Sequence, residues 1–129
     1  MARTPRARRV TTAVLLGWAA AWLVNRSLVA VRGPSMLPTL APGTRLLTLP
    51  ARLLPPTVGR IVVVEDPARP QHRVIKRVAD LDRGTAVVLG DNPSASTDSR
   101  VWGPLPVSAI RRVALARWPS LSPKGLRTR

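Results

Sequence analysis

Three short stretches of this chain hold residue types that could carry out chemistry. The first is Gly33-Pro34-Ser35-Met36-Leu37-Pro38-Thr39-Leu40, closed by Pro42-Gly43. Pro34 and Pro38 bracket Ser35 in a rigid turn that exposes its hydroxyl, although Gly-Pro-Ser is also ordinary turn vocabulary. The second is Val74-Ile75-Lys76-Arg77-Val78. On a strand, Val74, Lys76 and Val78 share one face, so Lys76 points inward, where a charged ammonium is expensive. An edge strand with Lys76 snorkelling out to water gives the same pattern. The third runs from Leu89 to Gly103, LGDNPSASTDSRVWG, and crowds small hydroxyls and two of the six acids into one loop. A polar hairpin loop would begin the same way, but a loop this long and this rich in hydrogen-bonding groups calls for a function.

The kind of cation singles out Lys76. Of 21 basic residues only Lys76 and Lys124 are lysine; all the others are Arg. Lys124 lies in a Pro- and Ser-rich tail, whereas Lys76 sits in a hydrophobic run, where Arg would be unable to give up its proton. The same count removes other chemistries. Without Cys there is no thiol nucleophile and no Cys-ligated metal, and the single His72 precludes a multi-histidine centre. No metal and no cofactor is expected. Gly-x-Ser-x-Gly, Ser-x-x-Lys and His-Glu-x-x-His are all missing. His72, in the run Arg69-Pro70-Gln71-His72, reads as a solvated loop residue.

These clusters have to be positioned by 129 residues, enough for one domain. The apolar share is 45% but aromatics are 3%, so the core is built from Val, Leu, Ile and Ala. From Ser27 onward, short Val- and Ile-rich runs are punctuated by Pro and Gly, the pattern of a mainly β domain, a small barrel or sandwich. Residues 27–118 are assigned to this domain and residues 119–129 to a basic, disordered tail. Residues 1–9 form a basic segment with Arg3, Arg6, Arg8 and Arg9, ahead of an uncharged stretch, Val10 to Asn25. As a helix that stretch is roughly 24 Å long, short of a ~30 Å hydrocarbon core unless Arg9 and Arg26 snorkel. A membrane anchor over 10–26 is expected; a cleaved signal and a buried core helix are the alternatives. Four Arg before the run and two soon after it place the N-terminus in the cytoplasm and the rest outside, a single pass through the cell membrane.

Taken together, the three clusters resemble the type I signal peptidases, serine–lysine membrane proteases that remove export signals. The resemblance rests on Ser35-Met36 to Leu40, on Lys76-Arg77-Val78 and on Gly90-Asp91-Asn92 through Ser96, Asp98, Ser99 and Arg100 to Gly103. It covers residues 28–118 in order and spacing. It implies Ser35 as nucleophile, Lys76 as its general base and Ser96 as the hydroxyl that orients the lysine. It also implies Asp98–Arg100 and Arg77–Asp91 as supporting ion pairs, with an oxyanion held at the Ser35 amide. The physics is consistent: a serine hydroxyl is a weak nucleophile until a neighbouring base takes its proton, and burial lowers a lysine toward the neutral form.

Two departures accompany the resemblance. Gly33 stands where the family often has a hydroxyl residue that helps hold the oxyanion, and a serine there is expected to be tolerated. Thr44 replaces an acidic residue. With no room for a larger inserted domain this is a minimal member, of a size that also suits the branch maturing one dedicated substrate such as the nickel superoxide dismutase precursor. The implied partners are precursor proteins with signal or pro-segments, small at positions −1 and −3, together with the lipid bilayer. The substrate would lie extended beside the strand that leads into Ser35. A net charge of +15 suggests nucleic acid as a rival partner, but the charge is dispersed and stacking aromatics are nearly missing, so none is expected. An inactive membrane-tethered relative is the other alternative.

Overall fold

The computed structural model describes residues 5–119. Helix α1 (Pro5–Ser27) precedes the strands β1 (Leu28–Ala30), β2 (Arg45–Pro50), β3 (Ile61–Asp66), β4 (Arg69–Asp82) and β5 (Thr85–Leu89). A single turn of helix, α2 (Ser99–Trp102), then leads to β6 (Leu105–Pro106) and β7 (Ile110–Arg117). The domain is mainly β, as expected. The strands form one seven-stranded antiparallel sheet in the order β1-β2-β7-β3-β4-β5-β6, with β1 and β6 at its edges.

Alternation along β3 explains how one sheet holds two cores. Val62 and Val64 join Val78, Val88, Ile110 and Val113 in one buried cluster. Val63, between them, joins Val31, Met36, Leu40, Leu46 and Ile75 in the other. Successive side chains of a strand leave on opposite faces, so a continuous Val-Val-Val run fits a strand covered on both. Four of the ladders shift register, at Leu47/Thr48, Glu65/Asp66, Val63/Val64 and Val78/Asp80. Such bulges bend a strand and sharpen its twist, which lets a single sheet curl around its contents.

Helix α1 forms where a helix is expected but begins earlier, at Pro5, a residue suited to a first helical turn. Thr11 and Thr12 bond back to the carbonyls of Ala7 and Arg8, and Arg26 lies over the Trp22 ring at 5.2 Å. The buried core helix is overturned: residues 6–26 are exposed, with Trp18 at 74% and Trp22 at 57%. The membrane-spanning anchor is not confirmed either. No helix among the described residues is long and apolar enough to cross a membrane. Arg6, Arg8 and Arg9 occupy the helix's first turns and Arg26 its last, which confines the apolar part to the middle. His72 also differs from expectation, since it lies on β4 and not in a loop, though exposed as anticipated. Of the tail read as disordered, residues 120–129 lie outside the described residues, as do residues 1–4 of the basic segment.

Candidate active site

Ser35 sits in the turn that follows β1. Met36 and Leu40, buried at 0% and 1%, anchor that turn in the core, and the Leu40 amide donates to the Met36 carbonyl at 2.9 Å. The turn is pinned from the other side by Asn92, whose amide donates to the Ser35 carbonyl at 2.9 Å and whose Nδ2 donates to the Pro34 carbonyl at 3.1 Å. A sequence separation of 58 residues is thereby closed beside the serine.

Lys76 lies midway along β4 and is buried, at 3% exposure. Of the two orientations open from the sequence, the inward one is therefore adopted. Its Nζ donates to Ser96 Oγ at 3.0 Å, and the Ser96 hydroxyl donates onward to Asp98 Oδ2 at 2.6 Å. Asp98 is fully buried and saturated with donors. The Gly90 amide reaches it at 2.8 Å, and Arg100 closes on it through Nε at 3.0 Å and Nη2 at 2.6 Å. Asp98 also caps α2 by accepting from the Arg100 amide. Ser35 and Lys76 line one cavity of about 600 Å³, which extends along Leu28–Arg32 and Gln71–Lys76. The ammonium's hydrogen bond goes to Ser96 and not to Ser35, so the resting side chains share a space without being joined in it.

The electrostatics follow from this packing. Burial is the main influence on Lys76 and lowers its pKa from the ordinary lysine value; Asp98 pulls the other way, and Arg100 adds to the lowering. Burial alone would raise Asp98. Hydrogen bonds from Arg100, Ser96 and the Gly90 and Arg100 amides outweigh it and hold the carboxylate well below its usual range. Asp98 thus stays charged and its attraction for the ammonium is permanent, while desolvation favours the neutral amine. Arg77 forms a bidentate pair with Asp91, at 2.9 and 2.8 Å, and donates from Nη1 to the Gly59 carbonyl at 2.8 Å. That pair raises Arg77 and lowers Asp91, and it ties β4 to the segment after β5.

Ser35, Lys76, Ser96, Asp98 and Arg100 meet in or directly behind the cavity, and Arg77–Asp91 braces the same segments. The sequence marks Gly90 and Asn92 as members of the Gly-Asp-Asn element without saying what they touch. A Cβ on Gly90 would lie 2.2 Å from Ser96 Oγ and 2.7 Å from the Ser35 carbonyl oxygen, so this glycine is the contact between the two segments. The Gly-Asp-Asn run hinted at a turn, but nothing in it names the turn that Gly90 must touch.

Gly33 requires a correction. Its φ is +72°, in the left-handed region, with nothing within 4 Å of where a Cβ would stand. Space permits a serine, but the backbone opposes it by about 1–2 kcal/mol. Tolerance of Gly33→Ser is therefore no longer expected. The variant should cleave a precursor peptide about tenfold more slowly in kcat/KM, because relaxing that φ displaces Ser35 two residues later. Unchanged turnover in a folded variant would show that the turn does not depend on this conformation.

The family described as signal peptidase, peptidase S26, matches residues 4–82, a span that includes Ser35 and Lys76. The chain is 36% identical over 115 residues to the mitochondrial ATP-independent inner membrane protease subunit 1a of Arabidopsis thaliana, covering 69% of this chain and 68% of that protein. It is 32% identical over 114 residues to the mitochondrial inner membrane protease subunit 1 of Xenopus tropicalis, covering 70% and 68%. The subunit of the same name from Schizosaccharomyces pombe is 32% identical over 112 residues, covering 67% and 70%.

Proposed function

Because the chain belongs to the signal peptidase family, peptidase S26, we propose that it is a membrane-associated serine endopeptidase that removes signal or pro-segments from exported precursors. One observation carries the catalytic part of this reading: a buried lysine, held by a single hydroxyl, opens into the same cavity as the proline-bracketed serine. Neutral Lys76 takes the proton from Ser35 Oγ, which attacks the scissile carbonyl carbon. The Ser35 amide donates to the oxyanion; Pro34 has no N–H to offer. Lys76 then hands its proton to the leaving amine, and the C–N bond breaks to leave an acyl ester on Ser35. Water, deprotonated by Lys76, attacks that ester, and the returning proton restores Ser35 as the acid product departs. Ser96 orients the amine, and Asp98 with Arg100 fixes Ser96.

The cavity's shape supports an extended substrate. Among the described residues β1 pairs only with β2, and β4 pairs with β5 only from Arg77 onward. Two strand edges, Leu28–Ala30 and the first half of β4, therefore face the cavity with backbone groups to offer a peptide.

Membrane association is carried by α1, whose exposed Val14, Leu15, Leu16, Trp18, Trp22 and Leu23 need an apolar surrounding. Its short apolar part suits a single pass with local thinning and snorkelling arginines, the Arg-rich end on the cytoplasmic side. The protein's processing of one dedicated precursor, as opposed to many, is the narrower form of the same reading. The test is cleavage of a precursor peptide in detergent by wild type and Ser35→Ala, run beside carbonate washing of the membranes that carry them. Wild-type cleavage lost in Ser35→Ala, with both proteins kept in washed membranes, is expected. No cleavage by the folded wild type would favour the inactive relative, and release by carbonate would place α1 on the membrane surface.

A further inference from the structure

The cavity has a composition that peptide-bond chemistry does not require. Arg32, Arg73 and Arg112 line it, and none of its lining residues is Asp or Glu. The pairing of Val63 with both Ile75 and Arg112 sets Arg112 across the sheet from Ile75, and Arg73 lies two residues before Ile75 on the same face. The carboxylate opposite Arg73 is Glu65, which is held by Arg111 at 2.8 Å.

Arg112 is also built into place. Its Nε donates to Thr48 Oγ1 at 2.7 Å and its Nη2 to the Thr48 carbonyl at 3.2 Å. Thr48 is fully buried and donates in turn to the Ser27 carbonyl at 2.8 Å. Nη1 makes no hydrogen bond among the described residues. Burial first, and then the nearness of Arg73, Arg26 and Arg52, lowers the Arg112 pKa.

We propose that Arg112 and Arg73 form a subsite for a carboxylate side chain of the peptide substrate, away from the scissile bond in the same cavity. This rests on reading the cavity as the peptide groove. Arg73 lies three residues before Lys76 on β4, about 10 Å along the strand at ~3.3 Å per residue, which puts the acidic residue about three or more positions from the bond cut at Ser35. A guanidinium fixed by a buried threonine and lacking a protein carboxylate favours a charged acceptor over a neutral amide by about tenfold in kcat/KM. Location favours a peptide over a lipid headgroup, because these cations share the cavity with Ser35 and Lys76.

The test uses the full-length protein in neutral detergent and a neutral parent peptide with small residues at −1 and −3. Single Glu and Gln substitutions are scanned from −7 to +4. Glu should exceed Gln about tenfold at one or two adjacent positions, through KM, and the advantage should shrink with added salt. In Arg73→Gln and Arg112→Gln the Glu/Gln ratio should fall toward one, while Arg112→Lys retains part of it. Binding of the same peptides to Ser35→Ala, read by fluorescence anisotropy, gives the ratio independently of turnover. Loss of parent cleavage with the Glu preference intact in binding would count against the peptidase reading alone. Equal Glu and Gln binding at every position overturns the subsite. So does a result in which Arg73→Gln and Arg112→Gln weaken attachment to anionic vesicles and leave the peptide ratio unchanged, which would assign the cluster to lipid.

Discussion

Replacing Lys76 by arginine is expected to reduce peptide cleavage to the level of Ser35→Ala. If Lys76 only contributed charge, arginine would serve as it does at most basic positions of this chain. As a general base it must first be neutral, and a guanidinium stays protonated at any working pH. Arginine is also longer, and its planar head would have to fit where Nζ now reaches Ser96 at 3.0 Å. The wild-type pH profile should rise through a pKa below that of free lysine, in keeping with the lowering that burial imposes on Lys76, and the rise should vanish in the variant. The measurement is cleavage of a precursor peptide in detergent by the wild type, Lys76→Arg and Ser35→Ala across the pH range. Near-normal turnover by the arginine variant would end the Ser–Lys mechanism.

The same shifts fix how stability depends on pH. The unfolded chain binds a proton on Lys76 more tightly than the folded protein does, so between the native value and about 10.4 stability rises with pH. Asp98 acts at the other end. Its folded pKa is depressed, so its contribution is complete above the ordinary carboxylate value of about 3.9 and is lost as pH falls toward the native value.

Gly90→Ala is the second variant expected to have a large effect, although the change is one methyl group. That methyl would stand 2.2 Å from Ser96 Oγ, 2.6 Å from Ser96 Cβ and 2.7 Å from the Ser35 carbonyl oxygen, too close for any of them to remain where it is. Ser96 cannot retreat without releasing Lys76 and Asp98, and the Ser35 carbonyl cannot without releasing the Asn92 amide. Overpacking of this kind costs about 1–3 kcal/mol of stability, and a displacement of about 1 Å among reacting groups can lower turnover about a hundredfold. We expect a lower melting temperature, a folded protein, and kcat reduced about a hundredfold with KM changed little. A folded Gly90→Ala variant with wild-type kcat would show that the spacing between Ser35 and Ser96 does not limit the reaction.

Much of this candidate site is legible in the sequence. Ser35 between two prolines and Lys76 in an arginine-dominated chain are local features, and so is the dense polar segment that contains Ser96, Asp98 and Arg100. Alternation within Val74-Ile75-Lys76-Arg77-Val78 even separates Lys76 from Arg77, because adjacent residues of a strand face opposite ways whatever surrounds them. Helix α1 is equally local: an uncharged run of helix-compatible residues between arginines forms a helix, but a helix's surroundings are not written in its own periodicity. Its exposure is seen only in the structure, whereas its shortness as a membrane span already follows from the length of the uncharged run.

The sequence by itself therefore determined the β class of the domain, the residues proposed to do chemistry and the separation of Lys76 from Arg77 onto opposite faces, since each depends on a residue's type and its near neighbours. Tertiary structure alone decided what those residues touch. Asn92 closes on Ser35 because β5 delivers its loop beside the turn after β1, and Gly90 has no room for a Cβ because two distant segments meet there. Arg112 and Thr48, 64 residues apart, become a cation fixed in the cavity because β2 and β7 are neighbours in the sheet. At Gly33 space alone would admit a serine, and the positive φ that opposes it is set by the fold. Contacts of this kind are set by strand order and register, and strand order is chosen by the burial of both faces of the sheet at once, a property of the whole chain that no local pattern contains.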